Sequence, residues 1–180
     1  MKYKYYPIDF NPIKVIMVRP PASDNFIENV LKLKTLFSNK DTSRAIIWER
    51  EITFKGAITQ RMIIWDFAWA VQFRRVFQRY LSNTLGAIFI VNLWEMETYE
   101  LVVKYYSFIK KFSGFIPFML IGRLSSSKDT VGLIRENVIQ FCNLKGGAYI
   151  EISPEVYTDM KPSFETFSKV IFNNFEELLK

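Results

Sequence analysis

The run Gly86-Ala87-Ile88-Phe89-Ile90-Val91 contains no charged or hydrogen-bonding side chain, and a strand of this kind is stable only when both of its faces are covered. It calls for helices above and below a sheet rather than a sheet with one wet face. The flanking sequence supplies the other layers. Ile13 to Val18 is a short β-branched run ended by a Pro-Pro break, after which Phe26, Ile27, Val30, Leu31, Leu33 and Phe37 recur at near-helical spacing. Ala45 to Phe54 and Ile58 to Trp65 read as strands around a Lys55-Gly56-Ala57 hairpin turn, and the basic aromatic segment Phe73 to Leu81 reads as a helix. The alternation then repeats: helix from about Thr98 to Phe112, strand Ile116 to Ile121, helix Val131 to Leu144, strand Ala148 to Ile152. A last helix, Ser163 to Leu179, carries Phe164, Phe167, Ile171, Phe175 and Leu178 on its apolar side. The expected class is α/β, a mostly parallel sheet covered on both faces, with the hairpin adding one antiparallel strand.

With 180 residues, 49% of them apolar, the chain suits a single domain around one core. Its longest apolar stretches, Leu85 to Trp94 and Phe112 to Gly122, fall short of the roughly 20 residues a membrane helix needs. The first residues have no apolar signal core and no glycine after Met1, and Leu178-Leu179-Lys180 has no cysteine, so neither a myristoyl nor a prenyl anchor is expected. Cys142 is the only cysteine, which excludes an internal disulfide and suits a reducing, cytoplasmic setting. Its neighbours Val138, Ile139 and Phe141 make it a buried thiol rather than a nucleophile. There is no histidine, which removes Ser-His and Cys-His nucleophile pairs, histidine metal ligands and the commonest general base at neutral pH. The net charge of +6 comes from the N-terminal half. It reads as a solvated basic face, or as a surface for an acidic partner or anionic membrane. The basic residues are too dispersed for a nucleic-acid motif.

Ile64-Trp65-Asp66-Phe67-Ala68, then Gln72-Phe73-Arg74, Arg79-Tyr80 and the Gly86–Val91 strand, resembles the Ras and Rab stretch that begins I-W-D-T-A-G-Q-E-R-F-R. Phe118-Met119-Leu120-Ile121-Gly122 is similar to the strand leading into the guanine-specificity motif, and Glu151-Ile152-Ser153 to the E-T-S of the last nucleotide loop. The resemblance spans about residues 12–178 and leaves 1–11 as an extension. It implies a P-loop small-GTPase-like three-layer fold, with a six-stranded mostly parallel sheet, one antiparallel strand and helices on both faces.

That family's phosphate loop, G-x-x-x-x-G-K-[ST], aims backbone N–H groups at the phosphates, adds a lysine charge and holds Mg²⁺ with a hydroxyl. The matching positions read Arg19-Pro20-Pro21-Ala22-Ser23-Asp24-Asn25-Phe26. The glycines are gone, two prolines delete donors, Asp24 repels phosphate, and Asn25 and Phe26 replace the lysine and hydroxyl. In the D-x-x-G motif, a carboxylate serves the metal and a glycine N–H the γ-phosphate, with a glutamine next to orient water. Asp66 is kept, but Trp69 stands for the glycine and Ala70 for the glutamine. N-K-x-D matches Arg123-Leu124-Ser125-Ser126, without the acidic acceptor for guanine, and Ser153 is followed by Pro154, which has no N–H to offer the base.

The resemblance therefore implies a pseudo-GTPase with no catalytic residues, metal or cofactor, working as an interaction, scaffold or regulatory protein. A divergent GTPase still using GTP or GDP with Mg²⁺ is the alternative, and an unrelated small-molecule pocket a third. Large side chains such as Phe26, Trp69 and Arg123 are expected to fill the vacated volume. The Rab effector triad corresponds to Trp48, Trp65 and Tyr80, beside Arg74, Arg75 and Arg79, which together form the expected face for another protein. Glu95, Glu97 and Glu100 read as helix-start residues rather than acid-base groups.

Overall fold

The strand built on the apolar run, Gly86–Asn92, is buried at every position and lies third from one edge of a seven-stranded sheet. The structure, a computed structural model, describes residues 12–20, 26–27, 31–38, 45–54, 58–68, 78, 80–125, 131–153 and 160–178. Its strands are β1 (Ile13–Arg19), β2 (Lys34–Ser38), β3 (Ala45–Phe54), β4 (Ile58–Ala68), β5 (Gly86–Asn92), β6 (Phe118–Arg123) and β7 (Ala148–Ile152). Among the described residues, three long helices, here α1 (Met96–Ser113), α2 (Val131–Lys145) and α3 (Lys161–Leu178), cover the sheet. The sheet order is β2-β3-β4-β1-β5-β6-β7. β3 is antiparallel to both β2 and β4 while the other neighbours pair in parallel, so β3 alone runs against the rest.

The period of two along the strands sorts the core into two layers. Val15, Met17, Ile88, Ile90 and Ile121 point to one face, where Phe164, Phe167 and Ile171 of α3 pack. Ile16, Val18, Phe89, Val91 and Leu120 point to the other, against Val102, Tyr106 and Ile109 of α1 and Ile134, Val138 and Phe141 of α2. The α3 layer sits so close that a Cβ on Gly86 would lie 2.8 Å from Ile171 Cδ1. The side chains of Phe175 and Leu178 lie outside the described residues.

Two sequence expectations need correction. The sheet has seven strands rather than six, because the segment read as helical through Phe37 supplies β2. Among the described residues only Phe26 and Ile27 of that segment are helical. Lys32 adopts a left-handed φ of 49°, Leu31 and Leu33 are buried around an exposed Lys32, and the chain then pairs in antiparallel fashion along β3. β2 itself carries the β-prone Thr35 and Phe37, which the near-helical spacing of the preceding apolar residues hid. The helix expected over Phe73–Leu81 falls largely outside the described residues; of it, Gln78 and Tyr80 are helical.

Cys142 is buried on α2, and burial pushes its thiol up to about 12 from an ordinary value near 9. Only the thiolate attacks an alkylating reagent, so native protein at pH 8 should resist a maleimide that labels it readily in denaturant. The same shift works against stability in alkali. The neutral folded thiol costs nothing below pH 9, but as pH rises from about 9 to about 12 the unfolded thiol ionises while the folded one does not. Rapid labelling of folded protein at pH 8 would place the sulfur at the surface.

Candidate functional site

Parallel strands bring the C-terminal ends of β1, β4, β5 and β6 to one edge of the sheet, the position where open α/β sheets bind ligands. Arg19, Asp66, Asn92 and Arg123 all lie there. β1 pairs with β4 so that Met17 faces Asp66 and Arg19 faces Ala68; Arg19 is thus one diagonal step from Asp66 on the same side of the sheet. β3 pairs with β4 so that Ile46 faces Asp66 and Trp48 faces Ile64, which sets Trp48 on the other diagonal.

The three side chains form one buried network. Arg19 Nε donates to Asp66 Oδ1 at 2.8 Å and Oδ2 at 2.7 Å. Trp48 Nε1 donates to Oδ2 at 2.9 Å, and Arg19 Nη1 donates to the carbonyl of Pro20 at 3.4 Å. Asp66 is 0% exposed and Arg19 3%. A buried carboxylate is tolerable only when paired and hydrogen-bonded, and here a guanidinium and an indole N–H serve both of its oxygens.

Arg123 forms the second part of the edge. Its Nη1 donates to Asn92 Oδ1 at 3.1 Å, while its guanidinium lies 4.7 Å from the Phe26 ring centroid and 5.6 Å from that of Trp94. Such stacking suits the weakly hydrated guanidinium plane. Burial, and then the nearby charge of Arg19, hold its pKa below the ordinary arginine value. Among the described residues it has no carboxylate partner. Asn92 Nδ2 donates in turn to Glu95 Oε2 at 2.9 Å, and the Asn92 N–H is received by Thr98 Oγ1 at 3.0 Å. Glu95 immediately precedes α1 and Glu97 lies in its first turn, as expected of helix-start residues; Glu100 is exposed further along the helix.

Behind Arg123, Glu151 receives two bonds from Arg135, at 2.7 Å and 2.6 Å, and one from the Tyr149 hydroxyl at 2.8 Å. Burial, and then the bond to Glu151, raise the Tyr149 pKa. Gly122 allows this ring over β6, since a Cβ there would meet the Tyr149 hydroxyl at 2.8 Å. Ser153 follows β7 at the same edge and is partly buried. Pro20 is buried at the end of β1.

The aromatic face is not the expected trio. Trp48 is 1% exposed and belongs to the α3-side core, whereas Trp65 packs on the opposite face. The register explains it: Ile47, not Trp48, stands across from Trp65, and neighbouring strand residues point to opposite faces. Trp65 and Tyr80 do meet, with ring centroids 5.1 Å apart, and Phe67 lies 5.4 Å from Tyr80. Lys14 Nζ sits 5.2 Å from the Trp65 centroid and donates to the Ser82 carbonyl at 2.8 Å; burial lowers its pKa. Pro21, Asp24, Asn25, Trp69, Ala70, Arg74, Arg75, Arg79, Ser126 and Pro154 lie outside the described residues. Asn92 and Trp94 were missed as site residues, although a polar residue ending a wholly apolar strand was a signal for the first.

A mostly parallel sheet with one reversed strand, helices on both faces and polar residues gathered at the C-terminal strand ends fits the small-GTPase class of α/β fold. The Ras family model matches residues 35–173, and the chain belongs to that family. It is similar to Ras-related protein RABA4b of Arabidopsis thaliana, 27% identical over 135 residues, which cover 73% of this chain. The matched part spans 60% of that relative's length.

Proposed function

We propose that the chain is a pseudo-GTPase, using the small-GTPase fold for protein contact without nucleotide chemistry. The observation that carries this reading is the Arg19–Asp66–Trp48 network. Asp66 matches the aspartate that serves Mg²⁺ in the family, and Arg19 matches the first glycine of the phosphate loop. With arginine at that glycine, the protein places its own cation on the carboxylate at 2.7 Å. A divalent ion would have to displace a buried guanidinium whose Nε–H is shared between both carboxylate oxygens, and that exchange is opposed by the cost of separating Arg19 from this carboxylate in the interior.

The base end of the site points the same way. Arg123 matches the asparagine of N-K-x-D and Phe26 the Mg²⁺-binding hydroxyl, yet the two stack on one another. In this reading protein atoms occupy volume that a nucleotide would need, and Phe26 and Arg123 brace each other across it. The partner face is the side bearing Trp65 and Tyr80, both part-exposed, with Arg74, Arg75 and Arg79 supplying charge from the intervening sequence. Aromatic anchors of this kind govern dissociation, while the arginines set association rate and salt sensitivity. The lone buried thiol suits work in the cytoplasm.

Nucleotide extraction tests the reading. Protein purified without added nucleotide, denatured and separated by anion exchange, is expected to release no stoichiometric guanine nucleotide. Recovery of GTP or GDP near one per chain would favour a divergent GTPase.

A further inference from the structure

We propose that the end of the sheet opposite the candidate site docks on an anionic membrane surface, with Phe115 and Leu144 entering the headgroup layer and Lys110, Lys111 and Lys145 facing lipid phosphates. β6 and β7 are parallel neighbours, so the turns before them lie side by side at their N-terminal ends. The first turn follows α1 through Gly114 at φ 72°, and the second follows α2 through Gly146 at φ 70°. The turns touch, since the Phe115 ring comes within 4.0 Å of a Cβ position on Gly146.

Large apolar groups remain in water there: Phe115 is 52% exposed, Leu144 72% and Phe112 41%. Lysines surround them. Lys110 and Lys111 close α1 and Lys145 closes α2; Lys110 shares a shallow crevice with Phe115, and Lys111 Nζ lies 5.7 Å from the Phe112 ring centroid. No carboxylate occurs between Glu100 and Asp129, or between Glu136 and Glu151, so these segments offer the lysines no counter-charge of their own. Lysines in a last helical turn complement the helix dipole, but the dipole gives no reason to leave a phenylalanine and a leucine exposed among them.

The shape favours lipid over a protein partner. A Cβ on Gly114 would meet nothing within 4 Å, so this turn projects into open space. A fluid headgroup layer accepts a projecting apolar tip ringed by cations, whereas a protein partner would need a matching acidic groove.

Co-sedimentation of the full chain with vesicles tests the proposal. Binding is expected to phosphatidylcholine vesicles containing phosphatidylserine, not to phosphatidylcholine alone, and to weaken with salt. Lys110→Glu with Lys111→Glu and Lys145→Glu should reduce partitioning on the order of 100-fold. Phe115→Ser with Leu144→Ser should reduce it about tenfold with charge unchanged. Each variant should keep the native melting temperature; if the double variant does not, Leu144→Ser alone supplies the test. Absence of binding to the anionic vesicles at low salt would overturn the proposal, as would binding that ignores the Phe115 and Leu144 changes. A change in oligomeric state on sedimentation velocity, with vesicle binding unaltered, would instead mark a protein interface and overturn it equally.

Discussion

Asp66→Ala is expected to lower the unfolding free energy by about 3–5 kcal/mol, measured by urea denaturation without nucleotide or Mg²⁺. The carboxylate is fully buried and holds two donors, the Arg19 guanidinium and the Trp48 indole. Removing it takes this counter-charge from the buried Arg19 guanidinium and this acceptor from the Trp48 N–H. The cost comes mainly from these buried polar groups, not from lost attraction. Changing Arg19 to methionine together with Asp66 to leucine should therefore recover much of the loss, a coupling that a double-mutant cycle reads directly. In a protein that used this aspartate for a metal, the single change would chiefly weaken ligand binding. A loss below about 0.5 kcal/mol, the ordinary effect of a surface substitution, would mean that Asp66 is free to serve a ligand.

Trp48→Ala should be comparably severe, about 3–5 kcal/mol, because the indole is among the largest fully buried side chains. Trp48→Phe separates the two contributions. It keeps most of the ring volume but withdraws the N–H from Asp66, at a cost of about 1–3 kcal/mol for the weakened polar network. A surface anchor for a partner would behave otherwise, leaving stability within about 0.5 kcal/mol and changing only affinity. Melting curves of the two variants side by side decide between these roles.

Much of the fold was legible because its strongest signals are one-dimensional. The Gly86–Val91 run demanded cover on both faces, and the later helices and strands lie within a few residues of the expected bounds. β2 was hidden because Phe37 continues the near-helical spacing of Phe26, Val30 and Leu33 in the sequence, and only the pairing of Lys34–Ser38 with β3 shows it to be a strand. For the site, the sequence offered only the departures that the resemblance implies: arginine for glycine at 19, phenylalanine for a hydroxyl at 26, arginine for asparagine at 123. What those replacements do for one another was not legible. Arg19 and Asp66 are 47 residues apart, and their meeting depends on the parallel register of β1 and β4. Trp48 shows the same limit more sharply, since shifting strand pairing by one residue sends a side chain to the other face. Its choice as a partner anchor failed on that single step.

Thermal denaturation with increasing GTP or GDP plus Mg²⁺ tests the proposed absence of nucleotide binding most directly. A ligand at a hundred times its dissociation constant adds about 2.7 kcal/mol of stability, a shift of several degrees for a chain of this size. With Arg19 on Asp66 and Arg123 stacked on Phe26, the melting temperature should stay constant at every nucleotide concentration. A saturable, Mg²⁺-dependent rise in melting temperature would contradict the account and identify a working guanine-nucleotide site.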